Sequence, residues 1–244
     1  MPRIDGRPLD ALRRVEMIVG FHRPSEGSVL YRAGGTVILC TASVEDKVPP
    51  FLEGKNQGWV TAEYLMHPRA NARRQERDGR GKPPNGRTQE IQRLVGRALR
   101  AAVALEKLGP RTVTVDCDVL EADGGTRTAS ITGGFVALAV ALSKIGVRAL
   151  RESIAATSVG GLAGLGNALD LCYLEDSRAL VDLNVVATAT GKIVEVQGTA
   201  EGEPVERREV DAMVDLALAG IATLSQVQRD ALAGAGIDLK GLLL

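Results

Sequence analysis

The sequence has only two histidines, and this scarcity excludes several kinds of catalytic site. His22 and His67 each stand beside Arg or Pro in an irregular stretch. Neither has serine, cysteine or acidic partners at a spacing that would build a nucleophilic triad or a zinc site. We therefore predict that both histidines are solvated loop residues.

Cysteine is also scarce, and the three that occur lack partner spacing. Cys40, Cys117 and Cys172 are far apart in the sequence, and each lies in an apolar, strand-like run. This pattern is typical of buried small hydrophobes in a reducing compartment. It matches neither a metal site nor a redox motif.

Long hydrophobic runs are missing from the sequence. No stretch reaches the roughly 18 uninterrupted apolar residues that indicate a membrane-spanning helix. Residues 1–6 carry no hydrophobic segment either. We expect a soluble, cytoplasmic protein without membrane association.

The chain carries no net charge, because thirty basic residues balance thirty acidic ones. The local distribution is uneven. Residues 69–100 hold ten basic and three acidic residues, whereas residues 170–211 hold four basic and ten acidic ones. The local charges are therefore +7 and −6. A basic half and an acidic half would suit a polyanion held beside a metal ion.

Hydrophobic periodicity predicts a mixed fold. With 244 residues, 45% of them hydrophobic, the chain can bury a substantial core. A hairpin is predicted around Gly34 and Gly35, and the clearest helix has apolar residues every three or four positions. The predicted elements are the hairpin at 27–44, helices at 87–108, 128–144, 204–224 and 225–233, and strands near 59–62, 112–120, 154–159, 169–173, 181–187 and 193–197. Their order favours an α/β or α+β fold, and it suggests two similar halves.

A glycine-rich segment joins the strand at 112–120 to the following helix. This glycine turn, residues 123–128, reads DGGTRT. Gly124 and Gly125 let the backbone approach a ligand closely, and the first amides of the helix favour an anion. Arg127 would add a planar charged group that matches phosphate. An ordinary tight turn with a solvated arginine is the alternative.

A second segment has the same chemical character. Gly86, Arg87 and Thr88 stand at the start of the predicted helix at 87–108. A helix N-terminus beside an arginine makes a second anion contact plausible. An incidental surface arginine is the alternative.

Two pairs of carboxylates compete for a metal-binding role. Asp176 and Asp182 flank one short connection, so that both could reach one magnesium ion. Asp116 and Asp118 lie on the strand before the glycine turn and form a rival pair. The residues alone do not decide between them.

Arginines cluster in an irregular segment, the basic loop (residues 69–80). The loop interleaves Arg69, Arg73, Arg74, Arg77 and Arg80 with small and polar residues. Such a composition is typical of a loop that contacts a phosphate backbone. Tyr64 lies nearby in the sequence and could stack on a base. A solvated charged loop is the alternative.

Together these segments resemble the ribonuclease PH family of bacterial phosphorolytic 3′ exoribonucleases, and the resemblance runs nearly end to end. The segments that carry it are 58–64 (GWVTAEY), 86–97 (GRTQEIQRLVGR), 116–133 (DCDVLEADGGTRTASITG) and 194–202 (VEVQGTAEG). The resemblance implies a single ribonuclease PH domain over residues 1–244, made of two related α/β halves, and a homohexamer built as a trimer of dimers.

The resemblance also implies an activity. Inorganic phosphate would attack the last phosphodiester of a transfer RNA precursor and release a nucleoside diphosphate, and the reverse reaction would add nucleotides. By matching positions, it implies phosphate binding by Arg87, Gly125, Thr126 and Arg127, catalysis by Arg127, Asp176 and Asp182, magnesium at Asp176 and Asp182, and RNA binding by the basic loop.

Two other functions remain as alternatives. One is a non-catalytic RNA-binding subunit of an exosome-like ring, and the other is a small-molecule phosphorylase that acts on nucleosides. The combination of Arg87, Arg127, Asp176 and Asp182 argues against the first. The basic loop argues against the second, because a nucleoside would not need it.

Overall fold

The computed structural model of the chain describes residues 3–244 and shows two β-sheets with helices packed between and beside them. The strands are β1 (Val15–Val19), β2 (Gly27–Ala33), β3 (Thr36–Glu45), β4 (Trp59–Met66), β5 (Thr112–Glu121), β6 (Ile154–Leu162), β7 (Gly166–Leu169), β8 (Val181–Thr188) and β9 (Ile193–Ala200). The helices are α1 (Gly86–Ala101), α2 (Leu105–Leu108), α3 (Thr126–Lys144), α4 (Tyr173–Asp176), α5 (Arg207–Gly234) and α6 (Leu239–Leu242).

The first sheet has the strand order β1-β2-β3-β5-β4, in which only β4 and β5 run parallel. The second sheet has the order β7-β6-β8-β9 and is antiparallel throughout. The mixed sheets and helices confirm the predicted α/β (α+β) class and its two halves.

Helix α3 lies between the two sheets and therefore sets the position of the glycine turn at its N-terminus. It packs on β2 and β3 of the first sheet and on β6 of the second. Ile131, Phe135 and Leu138 are fully buried, as is most of the helix surface. Because both faces of α3 are covered, its sequence is apolar all round rather than striped.

An inner strand of the second sheet, β6, is covered on both faces. On one face Ile154 and Ala156 join the core around α3. On the other face Ala155 and Val159 pack with residues of α5. All nine residues of β6 are buried, which explains why its sequence lacks the alternation of a half-exposed strand.

Helix α5 is one continuous helix, so the prediction of two final helices is wrong. Ser225, where a second helix was expected to begin, is buried within the packed face of α5. Gly220 also lies inside the helix, where an added Cβ would stand 2.9 Å from Leu169 Cδ1. Close packing against the second sheet therefore overrides the weak local helix propensity of these residues.

Three further boundaries differ from the predictions. Helix α1 ends at Ala101 because Ala104 instead donates a backbone hydrogen bond to Ala149. The strand predicted at 169–173 ends at Leu169, since Asp170 adopts a φ of +54° and the chain then enters α4. Strand β1 was not predicted, because it is a short edge strand of mixed burial.

Among the described residues, α5 alone is long and apolar enough to cross a membrane by length and composition. Met213, Ala217 and Ile221 of this helix pack into the core beside the second sheet. Core helices of soluble proteins meet the same criterion. The cytoplasmic location stays a prediction.

Candidate active site

A cleft of about 1110 Å³ opens where the glycine turn meets α1, α4 and β8. It brings together residues far apart in the sequence. Its lining residues are Gly35, Met66, Arg69, Ala70, Asn71, Ala72, Arg73, Gln75, Arg87, Glu121, Ala122, Asp123, Gly124, Gly125, Thr126, Arg127, Ser158, Tyr173, Asp176, Asp182 and Asn184.

The glycine turn presents free backbone donors at the start of α3. Gly124 and Gly125 have φ angles of +77° and +66°, which glycine adopts without strain. An added Cβ on Gly124 would lie 2.6 Å from Leu171 O. Within residues 3–244, no acceptor is found for the backbone N–H groups of residues 124–128. Together with the dipole of α3, these donors make a socket for an anion.

Arg127 lines the cleft beside this socket with part of its guanidinium unpaired. Its Nη2 lies 3.5 Å from Oε2 of Glu90, whose other oxygen accepts a hydrogen bond from Gln197. The Nε of Arg127 is buried and has no partner among residues 3–244. A buried donor without a partner is costly, so this group is ready for an acceptor that enters the cleft.

Arg87 is the second residue of α1 and lines the same cleft. Asn85 caps the helix by accepting a hydrogen bond from the backbone N–H of Thr88 at 2.9 Å. The cap fixes the first turn of α1, from which Arg87 projects. The structure therefore brings the two segments with glycine, arginine and threonine to one place.

Asp176 and Asp182 face the two arginines. Burial raises the pKa of Asp176, and the charges of Arg127 and Arg87 partly oppose the rise. Burial also raises the pKa of Asp182, with a further contribution from Asp176. The contribution of Asp176 to the raised pKa of Asp182 agrees with the position of both carboxylates in one cleft.

The carboxylates suit a hard cation such as magnesium. Asp182 Oδ1 is buried and has no hydrogen-bond partner within residues 3–244. Magnesium binds proteins through one or two carboxylates and completes its shell with water and phosphate oxygens. Asp176 and Asp182 therefore fit this ion, although the described part of the chain holds no cluster of three or more metal-binding side chains.

The rival carboxylates lie elsewhere. Asp116 and Asp118 do not line the cleft, and they project from β5 on the open face of the first sheet. They lie on the face opposite to Val115 and Cys117, which pack into the core. The location of the cleft therefore favours Asp176 and Asp182 as the pair beside the anion socket.

The basic loop reaches the cleft only in part. Arg69 and Arg73 line it, whereas Arg74, Arg77 and Arg80 do not. All five side chains are exposed, and the charge of Arg77 acts on Asp118 at the open sheet face. Their role in RNA binding stays a prediction.

Tyr64 does not have the role expected from the sequence. It is buried, with 2% of its surface exposed, so the prediction that it stacks on a base is wrong. Its hydroxyl forms a 2.9 Å hydrogen bond with Thr126 Oγ1. Strand β4 places Tyr64 directly under the first turn of α3, where it supports Thr126.

Several residues that hold the site were not singled out from the sequence. Arg13 and Thr36 hydrogen-bond to carbonyl groups of the glycine turn. Asp170 binds Arg13, with Oδ1 2.7 Å from Nη2 and Oδ2 3.0 Å from Nε. These contacts join residues distant in sequence, and no local pattern in the sequence singles out Arg13, Thr36 or Asp170.

Comparison with known proteins agrees with this architecture. The chain matches the model of the 3′ exoribonuclease family, domain 1, over residues 11–143, and that of domain 2 over residues 153–220. A single ribonuclease PH domain over residues 1–244 stays a prediction.

Solved structures share the fold. Rice (Oryza sativa) Rrp46 is similar with a TM-score of 0.78 and 17% sequence identity, over 94% of this chain and 100% of that chain. The Archaeoglobus fulgidus exosome with RNA bound to the active site contains a chain similar with a TM-score of 0.79 and 22% identity, over 92% of each chain. At these identities the likeness is evidence of a common fold. The two family matches together cover both sheets, and this chain belongs to the 3′ exoribonuclease family of ribonuclease PH.

Proposed function

We propose that this chain is a phosphate-dependent 3′-to-5′ exoribonuclease of the transfer RNA nucleotidyltransferase type. The observation that carries the proposal is one cleft in which Arg127 and the free amides of the glycine turn face the Asp176–Asp182 pair. The attacking phosphate and the RNA phosphate are both anions. Holding them side by side in this cleft requires Arg87, Arg127 and a cation to offset their charges.

Inorganic phosphate is the nucleophile in this proposal. One of its oxygens bonds to the phosphorus of the last phosphodiester, and the bond from that phosphorus to the O3′ of the preceding nucleotide breaks. The products are a nucleoside 5′-diphosphate and an RNA shortened by one nucleotide. The reverse reaction adds a nucleotide and releases phosphate. Since phosphate supplies the attacking atom, no histidine-activated side chain is needed.

The chain's own residues position the reactants. Arg87, Arg127 and the amides of Gly125 and Thr126 hold the attacking phosphate and reduce its repulsion from the RNA phosphate. Asp176, whose pKa is raised by burial, is suited to deliver a proton to the leaving O3′. A magnesium ion held by Asp182 would supply positive charge at the leaving oxygen. In the alternative in which Asp176 is ionised, Asp176 is the second ligand of this ion rather than the proton donor.

The basic loop extends the cleft toward a longer polyanion. Arg69 and Arg73 lie on its rim, and Arg74, Arg77 and Arg80 continue the positive charge outside it. This arrangement suits an RNA backbone that leads away from its 3′ end. We assign transfer RNA precursors as the substrate class and a homohexamer, a trimer of dimers, as the assembly.

A second candidate is a non-catalytic RNA-binding subunit of an exosome-like ring. The structural relatives favour it, because one is Rrp46 and the other belongs to an exosome with bound RNA. The two functions share the fold and RNA binding. They differ in whether this chain turns RNA over.

Product identification separates the two. A 3′-extended RNA is incubated with the protein, with and without phosphate and magnesium, and the nucleotides are separated by chromatography. We expect nucleoside diphosphates only when both are present. Binding without turnover would favour the second candidate, and nucleoside monophosphates formed without phosphate would contradict both. Light scattering on the same sample tests the hexamer, since each chain has a mass of 25.7 kDa.

A further inference from the structure

The glycine turn is held from behind by a buried threonine that lies outside the cleft. Thr36 is the first residue of β3 and is fully buried. Its Oγ1 donates a hydrogen bond to Gly124 O at 2.7 Å and accepts one from the backbone N–H of Asp123 at 3.0 Å. One hydroxyl therefore satisfies two backbone groups of the turn.

Arg13 holds the same segment. Its Nη1 donates to Asp123 O at 2.6 Å, and its Nη2 lies 3.4 Å from Gly124 O. Arg13 is itself held by Asp170. Two consecutive carbonyl groups of the turn are thus fixed on the buried side.

The direction of these carbonyls determines where the amides point. In a planar trans peptide the C=O and the following N–H point in opposite directions, and no peptide bond among residues 3–244 is cis. With Asp123 O and Gly124 O directed into the protein, the N–H groups of Gly124 and Gly125 are directed toward the cleft. Both lack an acceptor within the described residues.

The hairpin between β2 and β3 is shaped for this contact. A Cβ added to Gly35 would stand 2.9 Å from Asp123 Oδ2. A side chain at position 35 would have to displace the side chain of Asp123, whereas glycine permits the close approach that brings Thr36 within hydrogen-bond distance of the turn. The Gly34–Gly35 pair therefore serves the site as well as the hairpin.

We infer that Thr36 is a positioning residue for the attacking phosphate. Its hydroxyl orients the peptide units of the glycine turn so that their amides bind phosphate. It contacts neither phosphate nor RNA itself. This inference rests on the proposed function, in which phosphate binds at the turn.

The test uses two substitutions with opposite expectations. Thr36→Val keeps the shape of the side chain and removes both hydrogen bonds, whereas Thr36→Ser keeps both. With RNA and magnesium saturating, we expect Thr36→Val to raise the KM for phosphate about tenfold, the effect of about one lost hydrogen bond. The KM for RNA should stay within about twofold, and Thr36→Ser should resemble the wild type.

Thr132→Val is the matched control. Thr132 is also fully buried, and its Oγ1 donates to Ala156 O at 3.1 Å and accepts from the backbone N–H of Ala156 at 3.0 Å. Thr132→Val therefore removes an equivalent pair of hydrogen bonds at a position away from the glycine turn. We expect a comparable drop in thermal stability with an unchanged phosphate KM.

Three results would overturn the inference: an unchanged phosphate KM in Thr36→Val, an equal rise in Thr132→Val, or an equal rise in Thr36→Ser. If Thr36→Val does not fold, Thr36→Ala replaces it, since it also removes both hydrogen bonds, and an unchanged KM for phosphate overturns the inference.

If the wild-type protein shows no phosphate-dependent turnover, the proposed function is refuted, and this result does not by itself decide the role of Thr36. Calorimetric titration with phosphate then tests the turn alone. Weaker phosphate binding by Thr36→Val than by the wild type supports the inference, and equal binding, or none by either protein, overturns it.

Discussion

Arg127 and Asp182 each bury one polar side-chain atom that has no partner among residues 3–244. Leaving a buried polar atom unpaired costs about 1–3 kcal/mol. One of these atoms is a donor and the other an acceptor, and both residues line a single cleft. At the residue scale, the chain therefore keeps a costly arrangement that an anion and a cation would together relieve.

Replacing Arg127 with alanine should reduce turnover far more than RNA binding. We expect kcat/KM to fall about 100-fold or more, the usual cost of losing one charged contact in a transition state. The RNA Kd from filter binding should change less than about threefold, because the basic loop remains. Arg178→Ala is the control, since Arg178 is exposed and forms no ion pair within residues 3–244. Equal losses of affinity and turnover would contradict the assignment.

Replacing Asp182 with asparagine should abolish the response to magnesium and, without the metal, stabilise the fold. Burial and Asp176 raise the pKa of Asp182, so the ionised carboxylate costs more in the folded than in the unfolded chain. At neutral pH asparagine removes this cost, and Tm should rise. The rise should vanish at a pH below the unfolded pKa, where aspartate is neutral in both states.

Magnesium titration of turnover and thermal melts check these two expectations. Asp215→Asn, an exposed position on α5, is the control and should leave the magnesium response unchanged. A full magnesium response in Asp182→Asn would show that another carboxylate holds the ion.

At the scale of elements, β4 and β5 carry an acidic group on the open face of the first sheet. Asp116 pairs with Glu63 across the parallel strands. Burial raises the pKa of Asp116 to about 6, with smaller contributions from Glu63 and Asp118. The same strand thus presents a valine-rich face to the core and an acidic face outward.

This face should make stability depend on pH. Between the unfolded pKa of about 3.9 and about 6, folded Asp116 keeps a proton that the unfolded chain has lost. Stability therefore falls as pH rises through this window. Asparagine cannot titrate. The Tm of Asp116→Asn minus the Tm of the wild type should therefore be larger at about pH 7.5 than at about pH 4.5.

Thermal melts at several pH values measure this difference. Thr114→Ser, on the same outer face, is the control and should show a constant difference from the wild type. A constant difference for Asp116→Asn as well would rule out the titration of Asp116 as its cause.

At the scale of the whole molecule, the segment before β1 ties the first sheet to the loop that carries α4. Arg3 is buried and donates from Nη2 and Nε to Glu175 at 2.6 and 2.9 Å and from Nη1 to Leu169 O at 2.8 Å. Burial would raise the pKa of Glu175, but the hydrogen bond and charge of Arg3 outweigh it and lower the pKa. Glu175 directly precedes Asp176 in the chain. The Arg3–Glu175 ion pair therefore also helps to fix the position of Asp176 in the candidate active site.

Removing one member of this pair should destabilise the protein strongly. Arg3→Met leaves the buried Glu175 with a hydrogen bond from the backbone N–H of Cys172 and with one more distant cation, Arg7, at 3.8 Å. We expect the free energy of unfolding to fall by about 3–5 kcal/mol. Adding Glu175→Gln should recover part of the loss, because it removes the unpaired charge.

Urea unfolding of the two variants measures both effects. Arg151→Met is the control, since the Arg151–Glu106 pair is exposed and should contribute about 1 kcal/mol or less. A loss below about 1 kcal/mol in Arg3→Met would show that the buried pair does not hold this segment.

Features that depend on neighbouring residues were predictable from the amino-acid sequence. The β-rich runs around Gly34 and Gly35 predicted the hairpin of β2 and β3, and alternation along β5 predicted a half-buried strand. The apolar stripe of α1 predicted a helix. The glycine turn was predicted because its glycines, its arginine and the start of α3 are adjacent in the chain. Local chemistry of this kind needs no knowledge of the fold.

Which distant residues meet was not predictable without the packed structure. Thr36 and Gly124 are 88 positions apart, and Arg13 and Asp170 are 157 apart. Tyr64 was expected at the surface and is buried under Thr126. The family resemblance had already implied Asp176 and Asp182 rather than Asp116 and Asp118. Which pair borders the cleft, by contrast, depends on how the two sheets are placed. Such contacts depend on how α3 packs between two sheets, and no local pattern encodes that packing.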